Sequence, residues 1–273
     1  MKILFAFVVV QLIAGISCSD STEKKIPSNP QLILELWITI LRESLFDDLD
    51  REDATVKQAV IDKCTKNGGP TAYDDAEKSL QSLRNSIRAV INDTVNQTPT
   101  VNFESWNEQE QIPKLCNTVK TVMNWTKPAL DSVRPCLDEG ERATGDVMYN
   151  MRIAAVDFVC GNNGSNLLSF YRAHGLECSI RNARTKCSLR ESYHNNSTVT
   201  TYARIAGAPW SYEPSYPSVN DCRKIRRVKT CGVERLSGCE QSEPSNLVYS
   251  TFDAIEKAAG CDNILKAQEP SAA

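Results

Sequence analysis

Histidine is nearly missing from this chain: His174 and His194 are the two in 273 residues. A Ser-His-Asp or Cys-His catalyst needs an imidazole beside its nucleophile. Both histidines read as surface residues, His174 beside Gly175 at a helix end and His194 in a polar loop. C-x-x-C is also missing, the closest cysteines being Cys231 and Cys239. Structural zinc draws on paired cysteines, often with histidine, so the sequence proposes no metal ligands. There is no G-x-S-x-G elbow, H-E-x-x-H helix, P-loop or EF-hand loop. Carboxylates are plentiful, with Asp138, Glu139 and Glu141 close together. A glycosidase needs two of them converging across a cleft, which spacing alone does not show, and clustered carboxylates usually form a solvated face. The expectation is a protein that is not an enzyme, with no catalytic residues and no cofactor.

Long apolar runs are missing after the N-terminus. Leu32 to Leu41 is interrupted by Glu35 and is shorter than the ~20 residues that cross a bilayer. It reads as part of a buried helix. The C-terminus, Gln268 to Ala273, lacks the apolar tail of a lipid-anchor signal. The N-terminus itself has Met1 and Lys2, an apolar stretch from Ile3 to Ile16, and then Ser17, Cys18, Ser19 and Asp20. That is the three-part pattern of a secretory signal. As a membrane anchor the stretch is too short. The expected organisation is a signal peptide over 1–18, an N-terminal helical segment over 19–49, a helical domain over 50–265 and a flexible tail over 266–273. The expected location is secreted and extracellular, with no membrane anchor.

Cysteine is abundant. Of eleven, loss of Cys18 with the leader leaves an even set: Cys64, Cys116, Cys136, Cys160, Cys178, Cys187, Cys222, Cys231, Cys239 and Cys261. In an oxidising compartment these read as disulfides, and spacing leaves their connectivity open. Each bond restricts the unfolded chain by roughly 2–4 kcal/mol. A chain this long can bury a core without such help, so the bonds read as durability in a protease-containing fluid. N-x-S/T triplets occur at Asn92, Asn96, Asn124, Asn163, Asn195 and Asn196. Pro99 follows the Asn96 triplet, and Asn195 and Asn196 are adjacent, so one glycan there blocks the other. The expected glycosylation sites are Asn92, Asn124, Asn163 and Asn196, all of which must then face solvent.

The formal charge is −3, and removing the leader takes away only Lys2. Mild acidity of this kind excludes nucleic acid as a bulk partner. One basic cluster interrupts it: Arg223, Lys224, Arg226 and Arg227, with Lys229 beyond. It fits a heparin-like polymer, a dibasic processing site, or simply the solvated face of a helix between Cys222 and Cys231.

The apolar spacing is helical nearly throughout, and no segment alternates at period two for long. Leu34, Ile38, Leu41 and Leu45 follow Pro30 with Trp37 beside them. Val56, Val60 and Cys64 form a face that stops at Asn67-Gly68-Gly69-Pro70. Tyr73, Ala76, Leu80, Leu83, Ile87 and Val90 mark the clearest amphipathic helix, over too few heptads for a coiled coil. A polar loop is expected over Thr94 to Asn102. Ile112, Leu115, Val119 and Val122 resume the period, and Leu130 and Val133 continue it past Pro128. Val147, Met151, Ala155 and Phe158 form another face, closing at Cys160 to Gly164, after which Ser165 is expected to cap a short helix. Ser192 to Pro217 reads as a long exposed loop. Pro244 and Ser245 open a last helix with Leu247, Val248, Phe252, Ile255 and Ala259, and Cys261 pins its end. The expected fold is all-α: a disulfide-braced multi-helix globular domain with little or no sheet.

Several local words occur in this frame. They are Asp62-Lys63-Cys64-Thr65-Lys66-Asn67-Gly68-Gly69, Ala72-Tyr73, Val133-Arg134-Pro135-Cys136-Leu137, and Glu139 with Glu141-Arg142. Asp157-Phe158-Val159-Cys160, Gly175-Leu176-Glu177-Cys178, Cys222, Cys231 and Ala259-Gly260-Cys261 follow. With their cysteine order the sequence resembles the insect 27 kDa hemolymph glycoprotein family. The resemblance implies a secreted, mostly helical protein of body fluid with internal disulfides, and brings no catalytic residues. The functional expectation is a carrier or binding protein for a small apolar ligand held between helices. The alternative is an interaction protein for an extracellular protein or polyanion, in immunity, development or secretions.

Overall fold

The structure, a computed structural model, describes residues 54–97, 107–182 and 217–267. The expected signal peptide and N-terminal segment (residues 1–49), the loop expected from Ser192 (up to residue 216), Cys187, Asn196 and the last six residues lie outside the described residues. Every regular element among the described residues is helical. In chain order these are α1 (Ala54–Gly68), α2 (Ala72–Gln97), α3 (Glu108–Val133), a 3-10 turn (Arg134–Cys136), α4 (Glu139–Val159), α5 (Gly161–Arg172), α6 (Gly175–Arg181), α7 (Val219–Leu236), α8 (Glu243–Ala258) and α9 (Cys261–Lys266).

The helices begin and end where local chemistry directs. Gly69, at φ 92°, stops α1 in a left-handed conformation that glycine adopts freely. The stop is the one expected at Asn67-Gly68-Gly69-Pro70. Asn107 opens α3 by accepting from the Gln109 backbone N–H. Ser218 and Asp221 form a reciprocal capping box at the start of α7: the Ser218 Oγ accepts from the Asp221 N–H at 3.2 Å, and Asp221 accepts from the Ser218 N–H at 3.0 Å. Pro244 sits in the first turn of α8, where its missing N–H costs nothing.

Two expectations shift. The polar stretch expected to leave the helix at Thr94 remains helical through Gln97, because residues 94–97 contain no glycine or proline to break the helix. At the close of α4, Asn162, Asn163 and Gly164 wind left-handed, at φ 47°, 59° and 82°. The side chain bridging that break is Asn166, which donates to the Phe158 carbonyl at 2.7 Å. Ser165, the expected cap, does not supply it. Gly164 comes so close to α3 that a Cβ would sit 3.0 Å from Ile112 Cγ2.

α2 packs along α3, while α8 lies between α4 and α7 and touches both over its length. The main core joins Leu83 and Ile87 of α2, Val119, Val122 and Met123 of α3, Met148, Ala155 and Val159 of α4, and Val248, Phe252 and Ile255 of α8. A smaller cluster of Cys64, Ala72, Ala76, Val133, Cys136 and Leu137 joins α1 to the α3–α4 corner. The described cystines tie these layers together. Cys64–Cys136 joins α1 to the 3-10 turn, and Cys116–Cys160 joins α3 to the end of α4. Cys178–Cys239 joins α6 to the α7–α8 turn, and Cys222–Cys261 joins α7 to α9. Cys231 is disulfide-bonded as well.

Candidate functional site: a basic helix beside an ionic lattice

Two polar constellations stand out, and they do different things. The first gathers some of the words that carried the resemblance, those around Cys64 and Cys136. Lys63 of α1 reaches Glu141 Oε1 at 2.5 Å and Asp138 Oδ2 at 3.1 Å. The Asn67 Nδ2 donates to the Cys136 carbonyl at 3.1 Å and to Asp138 Oδ1 at 2.8 Å. Glu141 also turns back to accept from the Asp138 N–H at 2.9 Å, closing the first turn of α4. Arg142 Nε donates to the carbonyls of Arg134 and Leu137. Gly68 lies so close to the 3-10 turn that a Cβ would meet Ala72 Cβ and Pro135 Cβ, each at 2.7 Å. Hydrogen bonds from Lys63 and Asn67 hold the Asp138 carboxyl below its ordinary range. Burial alone would lower the Lys63 pKa, but its bonds to Glu141 and Asp138 outweigh that and raise it. Every polar group named here is engaged within the fold. The cluster is a clasp around Cys64–Cys136, and its carboxylates are committed to it.

The second constellation is the basic helix α7. Ile225, Val228 and Leu236 face the core, which leaves Arg223, Arg226 and Arg227 exposed and Lys224 and Lys229 partly covered. Three of them meet acidic partners. Arg226 reaches Glu256 of α8 at 3.4 Å and Asp262 of α9 at 2.7 Å. Lys229 lies 3.5 Å from Asp253 and 3.8 Å from Glu256. Its ammonium also sits 4.2 Å from the centroid of the Tyr249 ring. Lys224 lies 3.6 Å from Asp221 within α7. Asp253 is also paired with Lys257, whose hydrogen bond lowers the Asp253 pKa. Glu256 is only 5% exposed, so its two cations offset a substantial desolvation cost. Arg223 and Arg227 are exposed one turn apart, and among the described residues no ion pair is recorded for either. The structure therefore divides the cluster: Arg226 and Lys229 brace α7 against α8 and α9, whereas Arg223 and Arg227 are open to solvent. Tyr249 is the large apolar residue exposed among the described residues, at 53%.

The remaining expected residues fall as follows. Cys64, Cys116, Cys136, Cys160, Cys178, Cys222, Cys239 and Cys261 are in the four cystines above. Asn92, Asn124 and Asn163 are exposed. They lie on α2, α3 and the left-handed turn, with Gly164 of that turn against α3. His174 is exposed at a left-handed corner, with its Nδ1 3.5 Å from Glu177 Oε2. No group of three His, Cys, Asp or Glu side chains that could hold a metal occurs among the described residues, and no described helix is long and apolar enough to cross a membrane. Sequence reasoning missed Glu256, Asp262 and Tyr249. Only their approach to α7 sets them apart from other residues of an amphipathic helix.

An all-helical domain, cross-linked layer to layer by cystines and carrying outward-facing sequons, is the class these features define. The chain belongs to the family described as protein of unknown function (DUF1397), whose profile matches residues 51–261. It is similar to the 27 kDa hemolymph glycoprotein of Manduca sexta, 22% identical over 85% of this chain and 95% of that protein. It is also similar to the 27 kDa glycoprotein of Bombyx mori, 22% identical over 84% of this chain and 98% of that one. The 27 kDa hemolymph protein of Galleria mellonella is 20% identical over 76% and 84%. None of these names is an enzyme's. No solved structure matches the chain.

Proposed function

We propose that this protein is a secreted, non-enzymatic hemolymph glycoprotein that carries a small apolar ligand. The observation that carries the setting is the match, over 95% and 84% of their length, to proteins named for hemolymph. Cystines between helices and exposed sequons agree with an oxidising, glycosylating route. The carrier reading draws on the margin of the main core. Leu115, Trp125, Val147, Ile153 and Leu167 pack against that core while remaining only partly buried. Spaces between helices are common ligand sites, and an apolar guest gains by covering such side chains further.

The test is native mass spectrometry of the protein purified from its own source, with solvent extraction of small molecules. A stoichiometric apolar species released on extraction supports the carrier reading and gives the class of its cargo. A mass made up of polypeptide and glycan alone, from gentle preparations, overturns it.

A further inference from the structure

We infer that the side-chain amide of Asn163 is a site of spontaneous deamidation, and that a glycan on the same amide protects it. The inference does not rest on the carrier reading and holds or fails separately. The chain has two Asn-Gly pairs, Asn67-Gly68 and Asn163-Gly164. In such a pair the backbone nitrogen after the asparagine carries no neighbouring Cβ to shield it, so it can reach the side-chain amide carbon. At the second pair, Gly164 N attacks Asn163 Cγ, the Cγ–Nδ2 bond breaks, and ammonia departs to leave a five-membered imide. Water then opens the imide. Cleavage of its bond to Cγ gives an aspartate with a normal main chain. Cleavage of its bond to the main-chain carbonyl carbon gives an isoaspartate, with the main chain rerouted through Cβ and Cγ. One water is consumed, one ammonia is released, and nothing is oxidised or reduced.

The fold treats the two pairs oppositely. Asn67 lies in the last turn of α1, and its Nδ2 donates to the Cys136 carbonyl at 3.1 Å and to Asp138 Oδ1 at 2.8 Å. Gly68 has no spare room beside it, since a Cβ there would meet Ala72 and Pro135 at 2.7 Å. Ring closure at Asn67 therefore requires the clasp to open first. Asn163 is exposed and outside helical geometry, at φ 59° and ψ 33°. Among the described residues no hydrogen bond or ion pair holds its side chain. Closure needs rotation about ψ, which a helix forbids at Asn67 and a turn of Asn162, Asn163 and Gly164 permits. The product also falls at a sensitive place. Gly164 is buried against α3, where a Cβ would lie 3.0 Å from Ile112 Cγ2 and 3.3 Å from Cys116 Sγ. An isoaspartate lengthens the main chain by one carbon immediately before that contact, which must loosen to accommodate it. Asn163-Gly164-Ser165 is at the same time a sequon. A glycan on Nδ2 makes a bulky glycosylamine, in place of ammonia, the group that would have to leave.

The test uses the full secreted chain in two glycan-free forms. S165A removes the sequon and keeps Asn163-Gly164, and wild type secreted under a glycosylation inhibitor keeps the whole sequence. Helical circular dichroism confirms that both are folded. Each is aged at mildly alkaline pH and read by peptide mapping, with isoaspartate detected through isoaspartyl methyltransferase. Both forms should accumulate a converted 163–164 peptide, faster as pH rises because the attacking species is the deprotonated Gly164 nitrogen. Asn67 in the same molecules should convert about tenfold more slowly or less, the factor imposed by a local opening that costs ~1.4 kcal/mol. Wild-type molecules that carry a glycan on Asn163 should stay intact. Aged S165A should exchange amide hydrogens faster over residues 160–170 than fresh S165A. An intact Asn163 in either glycan-free form, or Asn67 converting as fast, overturns the proposal. Equal conversion with and without the glycan overturns the protective role. Unchanged exchange in aged S165A overturns the loosening of the turn.

Discussion

Lys63 and Glu141, 78 residues apart in sequence, meet at 2.5 Å across the junction of α1 and α4. Lys63 is 38% exposed on its side chain and Glu141 only 14%, so the lysine is reached by solvent while the carboxylate is largely covered. Glu141 also closes the first turn of α4 through the Asp138 N–H. One carboxylate thus serves a helix start and a long-range ion pair. Glu141→Ala should destabilise the fold by about 1–2 kcal/mol, the sum expected from a lost cap partner and a partly screened pair. A double-mutant cycle with Lys63→Ala, read by urea unfolding, should show coupling of about 0.5–1 kcal/mol. Additive single effects would show that the pair contributes nothing beyond the cap.

The same clasp sets an acid limit. Lys63 and Asn67 lower the folded-state pKa of Asp138 relative to the unfolded chain. The stability this provides is present above the unfolded carboxylate value, about pH 4, and is lost as pH falls through the folded value. Asp253 on α8 contributes in the same direction through Lys257 and Lys229. Asp138→Asn should flatten the acid limb of stability against pH while leaving its slope near neutrality unchanged. An acid limb identical to wild type would show that Asp138 titrates alike in both states.

Gly68 is intolerant of a side chain for a reason of space. Its φ is not left-handed, but a Cβ would lie 2.7 Å from both Ala72 and Pro135, and 3.0 Å from the Pro135 carbonyl. Gly68→Ala must push α1 away from the 3-10 turn that Cys64–Cys136 holds. The expected cost is about 1–3 kcal/mol, although alanine is the better helix former. Thermal unfolding checks it, and an unchanged or raised Tm would mean that α1 shifts freely.

Cys231 is disulfide-bonded, and the other described cysteines pair among themselves. On the expectation that Cys18 leaves with a signal peptide, parity assigns Cys187 as the partner of Cys231. Peptide mapping of the unreduced protein should recover a Cys187–Cys231 linked pair and no free thiol. A free thiol at Cys187, or Cys18 found attached to Cys231, would contradict both the pairing and the cleavage site.

Glu256 is the carboxylate on which the α7–α8 lattice turns, being nearly buried and shared by Arg226 and Lys229. Glu256→Ala should cost about 1–3 kcal/mol, below a fully buried pair because Arg226 is about half exposed. Denaturant unfolding measures this. A loss under 0.5 kcal/mol, roughly the scale of an ordinary surface change, would show that solvent replaces the lattice.

Much of the architecture was legible along the chain. Ala76, Leu83 and Ile87 are buried on α2, and Leu247, Val248, Phe252, Ile255 and Ala259 on α8 and its end, at the helical spacing read for them. On α4, Met151 and Ala155 are buried as read, while Val147 and Phe158 are only partly buried. Met148, Val156 and Val159 are more deeply buried than Val147 and Phe158, because α4 packs against helices on more than one side and its covered arc is wider than one stripe. The site was less legible. The cluster from Arg223 to Lys229 was visible as charge, but its division into bracing and exposed cations depends on acids that lie beyond a turn and on another helix.

By itself the sequence determined the helical period, the breaks at Gly69 and at Asn162 to Gly164, the number of cysteines and the sequons. All of these are local, set by backbone sterics and side-chain spacing within a few residues. Only the tertiary structure decided which cysteines join across 39 to 72 residues, which carboxylates the clasp consumes and which arginines stay open. Those outcomes depend on how helices approach in space, and local spacing carries no record of which distant surface will cover a given face.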